Sequence, residues 1–264
     1  MTEAAPPELL TERRGAVLWV TFNRPGARNA MTWGMYERLV EICGEAGADR
    51  GVRAMVLTGA GGRAFVAGTD ISQFREFATE RDAVDYEARG DHVMSVLESV
   101  RVPTVAAIAG ACTGAGAVIA ACCDIRLAAP SARYGVPVAR TLGNCLSTPN
   151  LARLAAICGF ARLKEMVMRA RLLEASELLA AGIVSEVVPD EASLPARAQA
   201  VAEELAANAP LTLWATKEGL RRIRDSLRPA QPDVDLVVAC YMSKDFREGV
   251  EAFLDKRPPA WRGE

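Results

Sequence analysis

Two glycine-rich turns hold the residues best placed to do chemistry. One lies within AIAGACTGAGAVIAACCDIRLA (residues 107–128), the other is GAGGRAFVAGTD (residues 59–70). Each follows an apolar run that reads as a buried strand, and each precedes or enters a segment that can be helical. If the two strands are neighbours, the turns share one sheet edge and their main-chain N–H groups can converge on one oxygen. Two fixed donors aimed at an oxygen that gains charge form an oxyanion hole, each worth about 100-fold or more in rate. A helix starting at the second turn adds its positive end. Small residues there let a ligand lie against the backbone. The alternative is two tight turns whose small residues serve packing alone.

Other chemistry finds little support. GAGGRA matches GxGxxA after a strand, but Phe65-Val66-Ala67-Gly68 does not continue as the helix a dinucleotide pyrophosphate requires. There is no GxSxG elbow, and His92, the only histidine, falls on a polar helical stretch where it reads as a surface or partly packed residue. The seven cysteines include no CxxC pair, so no metal site is expected and the thiols read as buried and reduced. Cys145 is a candidate nucleophile if nearby Arg140 lowers its pKa; a buried, inert thiol is the competing reading. A net charge of −2 gives no bias toward nucleic acid or membrane. No apolar run approaches the ~20 residues that span a bilayer. MTEAAPPELL lacks a basic signal-peptide start, and a cytoplasmic protein is expected.

The elements that must position the turns follow from periodicity. AVLWVTF (16–22) alternates like a half-buried strand with Leu18, Val20 and Phe22 on one side. Thr32 can cap a helix running to about Cys43. VRAMVLTG suits a strand buried on both faces, GAGGRAFVAGTD a loop, residues 80–100 a long helix, and TVAAIAG and IRLAA two further strands. Recurring strand, turn, helix and strand is the pattern of parallel α/β layering. After Pro189 three stretches read as helices, ending in DVDLVVACYMSKDFREGVEAFLDKR. The division expected is an α/β core over residues 1–190 and a helical region over 191–264.

Five ordered segments carry a resemblance: NRPGARNAM, VRAMVLTGAGGRAFVAGTDISQF, AIAGACTGAGAVIAACCDIRLA, LLEASELLAAGIVSEVV and EGVEAFLDKRPPAW. From about residue 15 to 261 they are similar to the signatures of the crotonase superfamily, the enoyl-CoA hydratase/isomerase family. The resemblance implies an α/β fold, the ClpP/crotonase-like ββα spiral, with a C-terminal helical trimerisation subdomain. It also implies a coenzyme A thioester as substrate, no tightly bound cofactor, no metal, an enolate-type intermediate and a homotrimer or dimer of trimers. Carried over by position, the Thr69 and Ala115 amides are the two oxyanion donors, with Ala115 standing where the family usually has glycine. Ala27, Arg28 and Ala30 line the coenzyme A channel, and Ala67, Asp70 and Ile71 hold its adenine and pantetheine end. Asp70 could instead cap the helix that follows. Lys256 matches a lysine that approaches the phosphates, and Arg28 is a further phosphate partner. Asp124 reads as structural and Tyr134 as packing.

The departures bear on activity. Family hydratases place glutamates where this chain has Val118 and Val138. Adding water across an enoyl double bond needs one group to activate water and another to protonate carbon, and two valines do neither. The following stretch, VARTLGNCLSTPN, is one residue longer than the hydratase pattern and resembles the dehalogenase branch, whose nucleophilic carboxylate falls at about Asn144. An amide cannot take that role, although it can donate or accept a hydrogen bond. Val118 and Val138, with Arg140 as an ion-pair or substrate-carboxylate partner, are expected to give an apolar pocket. The function expected is an acyl-CoA lyase or isomerase that stabilises a thioester enolate, with ordinary hydratase activity in doubt. The competing expectation is a catalytically degenerate acyl-CoA-binding oligomer.

Overall fold

The computed structural model describes residues 6–226 and 233–264. The first five residues, and Leu227 at the end of one expected helix, lie outside the described residues. The chain opens with the antiparallel hairpin β1 (Leu9–Arg14) and β2 (Val17–Phe22). β1 was not legible in the sequence because LLTERR lacks alternation; all but one of its residues are exposed or half-buried at the sheet edge. α1 (Trp33–Ala48) follows, capped by the Thr32 hydroxyl, which accepts from Met35 N. It runs five residues beyond Cys43, because Ala46 continues the buried stripe of Leu39, Ile42 and Cys43.

Three ββα turns then repeat. β3 (Ala54–Gly59) leads to β4 (Ala64–Val66), a 3-10 helix (Ile71–Glu76) and α2 (Glu80–Ser99). β5 (Thr104–Ile108) leads to β6 (Ala111–Thr113) and α3 (Ala115–Cys122). β7 (Ile125–Ala128) leads to β8 (Arg133–Gly135), the short α4 (Val138–Thr141) and α5 (Thr148–Met168). β9 (Leu173–Glu174), α6 (Ala175–Ala180) and β10 (Glu186–Val187) close the spiral. The first strand of each turn joins a six-stranded sheet of order β1-β2-β3-β5-β7-β10, parallel except for β1. The second joins a four-stranded sheet of order β4-β6-β8-β9. This is the expected ββα spiral. The second sheet was not foreseen: its strands are two or three residues long, too short for a periodic signal, and β4 lies inside the stretch read as a loop.

α7 (Ser193–Ala207) lies across β2, β3, β5 and β7. Leu194, Ala198, Val201 and Ala202 cover Val17, Trp19, Ala54, Val56, Val105 and Ala107, while Val20, Phe22, Met55 and Leu57 face the main core. β2 is therefore buried on both faces rather than half-buried; its alternation reflected residue choice and not exposure. α8 (Pro210–Ser226), α9 (Val234–Tyr241) and α10 (Lys244–Leu254) complete the chain. The last expected helix is two helices, because Ser243 turns the chain and caps α10 by accepting from Phe246 N. α9 packs on α2, and α10 packs on the 3-10 helix 71–76 through Phe74 and Phe246, ring centroids 5.6 Å apart. Among the described residues, no helix is long and apolar enough to cross a membrane.

Candidate active site

β4 and β6 are parallel neighbours, so the two glycine turns emerge from the same end of the small sheet. They touch. A Cβ placed on Gly114 would lie 3.5 Å from Gly68 Cα, and one on Gly68 would lie 3.6 Å from Thr113 O. Gly114 has φ 56° and ψ −122°, a conformation open to glycine and strained for other residues. Gly116 makes the closest approach: its Cβ would stand 2.0 Å from Val66 O. The first turn of α3 is thus seated directly on β4, next to the Gly68 turn.

The hydrogen bonds around the turns run through their neighbours. Met31 N donates to Gly68 O (2.9 Å), Asp70 N to Met31 O (2.9 Å), and Gly114 N to Gly135 O (3.0 Å). Among the described residues, neither Thr69 N nor Ala115 N donates to a main-chain acceptor in these turns. Ala115 is the first residue of α3, and the first amides of a helix have no intrahelical acceptor. Thr69 is buried and its side chain is clamped. Its hydroxyl shares hydrogen bonds with Tyr36 Oη on α1 (2.8 Å) and Tyr86 Oη on α2 (3.0 Å). Burial raises the pKa of both phenols, so they remain neutral hydrogen-bonding groups. Neither tyrosine was singled out from the sequence. Only the helical registers of α1 and α2 could have brought them to Thr69.

The segments carried over for coenzyme A are joined to each other. Ala27 closes a 3-10 turn and Arg28 follows it in a left-handed conformation; both are exposed. Ala67 N donates to Arg28 O (3.1 Å), and the Arg24 guanidinium donates to Ala30 O (2.6 Å) and to Asp70 (3.0 Å). Asp70 caps the 3-10 helix that begins at Ile71, accepting from Ser72 N and Oγ. Burial opposes its charge, but the bonds from Ser72 and Arg24 outweigh this and hold it below the usual carboxylate range. Asn29, buried and left-handed, ties the two loops together by donating to Ala60 O and Ala64 O and accepting from Arg24 N. Its φ of 57° is a signal that sequence alone does not carry. Lys256 is exposed just beyond α10.

Val118 and Val138 are buried, 2 % and 8 % exposed, within the main apolar core. Arg140 is exposed two residues on, in α4. Asn144 donates through Nδ2 to Tyr241 Oη (3.0 Å), and its Oδ1 is buried without a partner among the described residues. Cys145 Sγ donates to Leu236 O. Burial pushes its thiol far up, and the neighbouring Cys240, Glu87 and Asp233 push the same way, which disfavours the thiolate. Asp124 binds Thr104 N and Oγ1 and pairs with Lys217 (2.6 Å), a structural link, and Tyr134 Oη donates to Ala117 O in the core. His92 sits on the wall of a cavity of about 1000 Å³ between α1 and α2, which Trp33, Tyr36, Phe77 and Tyr86 also line.

A spiral of ββα turns with two abutting glycine turns at one sheet edge defines a crotonase-fold protein. The methylmalonyl-CoA decarboxylase solved with 2-nitronate-propionyl-CoA shares that fold, with a TM-score of 0.89 at 23% identity over 98% of this chain and 100% of that one. The sequence profile described as Enoyl-CoA hydratase/isomerase matches residues 12–264. The chain belongs to the enoyl-CoA hydratase/isomerase family. It is 32% identical over 257 residues to the short-chain-enoyl-CoA hydratase of Clostridium acetobutylicum, covering 94% of this chain and 95% of that one. It is also 32% identical over 258 residues to the 2,3-dehydroadipyl-CoA hydratase of Escherichia coli, covering 97% and 99%. Among solved structures, an enoyl-CoA hydratase/carnithine racemase from Magnetospirillum magneticum matches with a TM-score of 0.78 at 32% identity, over 98% and 97% of the two chains.

Proposed function

We propose that this protein binds an acyl-CoA and stabilises a thioester enolate with the Thr69 and Ala115 amides, without the acid–base pair of a hydratase. The single observation behind this reading is the contact between the Gly68 and Gly114 turns, which immediately precede two amides that have no main-chain acceptor there among the described residues. A thioester oxygen placed between them would gain two hydrogen bonds that strengthen as it becomes an enolate. The linked loops 24–31 and 67–71 would carry the coenzyme A portion, with Arg28 and Lys256 at its phosphates. Val118 and Val138 would give the site a dry, apolar wall, which strengthens the amide–oxyanion interaction and excludes the water a hydratase uses. Isomerisation, decarboxylation, C–C cleavage and substrate-assisted elimination all proceed through such an enolate. Seven unpaired thiols fit a reducing, cytoplasmic setting. The exposed Leu211, Leu220 and Ile223 of α8 fit a face covered by further copies in a trimer or dimer of trimers.

The same buried valines favour a second reading, a binding oligomer that has lost its chemistry. Hydration of crotonyl-CoA by wild type and by the Val118→Glu/Val138→Glu double variant tests the first. The expected result is an inert wild type and a double variant that hydrates. Wild-type turnover near the enzyme median of about 10 s⁻¹ would contradict it. A wild type that binds butyryl-CoA but never exchanges its α-hydrogens would favour the second.

A further inference from the structure

Glu87 is a half-buried carboxyl that this reading leaves without a task. Adjacent residues of α2 reach two places. Tyr86 bonds to Thr69 of the candidate oxyanion loop, and Glu87 Oε1 accepts from Tyr241 Oη of α9 at 2.6 Å. The two tyrosine rings lie 5.8 Å apart, so both groups belong to one aromatic wall. Tyr241 Oη also accepts from Asn144 Nδ2, while Asn144 Oδ1 is buried with no donor among the described residues. A buried acceptor left unpaired is costly, and a ligand donor or water that fills the position relieves it. The chain Glu87–Tyr241–Asn144 thus ends in a sealed acceptor that no donor among the described residues meets.

We propose that Glu87, acting through the Tyr241 hydroxyl, is the proton reservoir of this site, and that Asn144 fixes the phenol. The proposal rests on the enolate reading above. In the protonation step, the enolate C=C pair forms a C–H bond with the Tyr241 proton. The phenol oxygen keeps its electron pair and takes the Glu87 proton. The thioester carbonyl re-forms and Glu87 ends as a carboxylate; abstraction is the reverse.

The surroundings suit this role. Burial drives the Glu87 carboxyl upward and the nearby Asp233 charge adds to this, against the hydrogen bond from Tyr241 that favours the carboxylate. Tyr241 is pushed up by burial and by Glu87, so the phenol conducts a proton and does not itself ionise. The other titratable groups facing this pair are Tyr86 on α2, Tyr36 on α1, Cys145 before α5 and Cys240 on α9.

The test follows α-deuterium uptake into butyryl-CoA in D₂O by mass spectrometry, with butyryl-CoA affinity measured by calorimetry on the same samples. Glu87→Gln and Tyr241→Phe should each slow uptake by about 100-fold or more, the usual weight of a proton-transfer group, with affinity unchanged. Wild-type uptake should rise with pH as Glu87 ionises, and Glu87→Gln should lose that limb. A merely structural Glu87 would lower stability and leave the limb in place. Unchanged uptake in both variants, or a persisting limb, overturns the relay. If wild type binds butyryl-CoA without exchanging it, the relay fails while acyl-CoA binding stands. If wild type does not bind, the enolate reading fails and the relay with it.

Discussion

Gly116→Ala should separate the two amides while sparing every side chain near them. The new Cβ would stand 2.0 Å from Val66 O and 2.9 Å from Val66 C. Relaxed C···O contacts begin near ~3.3 Å, so the start of α3 must withdraw from β4 by roughly 1 Å. Ala115, one residue earlier, moves with it. Oxyanion donors work at about 2.7–3.1 Å, and a misplacement of about 1 Å costs on the order of 100-fold. The overpacking itself should cost about 1–3 kcal/mol of stability. The assay is α-deuterium uptake into butyryl-CoA, read beside urea denaturation so that folding loss is separated from rate loss. Gly114→Ala is the control for mechanism: its Cβ meets nothing closer than Gly68 Cα at 3.5 Å, so its cost is backbone strain, about 1–3 kcal/mol. A Gly116→Ala protein that is folded and exchanges at the wild-type rate would refute the reasoning.

Further outcomes follow from other parts of the structure. Arg153, 2 % exposed, bonds Asp91, Glu98, Ser95 and Asn150, so Arg153→Met should cost about 3–5 kcal/mol in urea denaturation by leaving carboxylates short of a partner. Glu248 is held down to about 2 by Arg257 and the Ala260 amide, which ties the C-terminal tail to α10. Because the folded value lies below the unfolded one, this tether is complete above the ordinary carboxylate range and is lost as pH falls toward about 2. An NMR titration of the Glu248 carboxyl should show that low midpoint, and an ordinary one would contradict it. Cys145 should react slowly with iodoacetamide at neutral pH, because burial and the neighbouring Glu87 and Asp233 disfavour its thiolate. Rapid alkylation would show that the environment has been misread.

The spiral was legible because its first strands are long, apolar and regularly spaced: VRAMVLTG and TVAAIAG became β3 and β5. The small sheet was not, since three-residue strands carry no period, although this sheet is what brings the glycine turns together. The turns themselves were legible as small-residue runs, whereas Thr69 and Ala115 were named only through the family resemblance. What holds Thr69 was hidden. Tyr36 and Tyr86 come from two helices far apart in the chain and meet Thr69 only through helix register, and Asn29, which ties the neighbouring loops, depends on a left-handed φ. Glu87 was hidden for a related reason. In DAVDYEARGDH it is one of several acidic residues on a polar helix, and only the packing of α9 on α2 brings Tyr241 to it.

A crystal structure with butyryl-CoA bound tests the central claim most directly. The account predicts the thioester oxygen within hydrogen-bond distance, about 2.7–3.1 Å, of both Thr69 N and Ala115 N. A thioester bound elsewhere, or an oxygen held by side chains while these two amides stay unused, would contradict it.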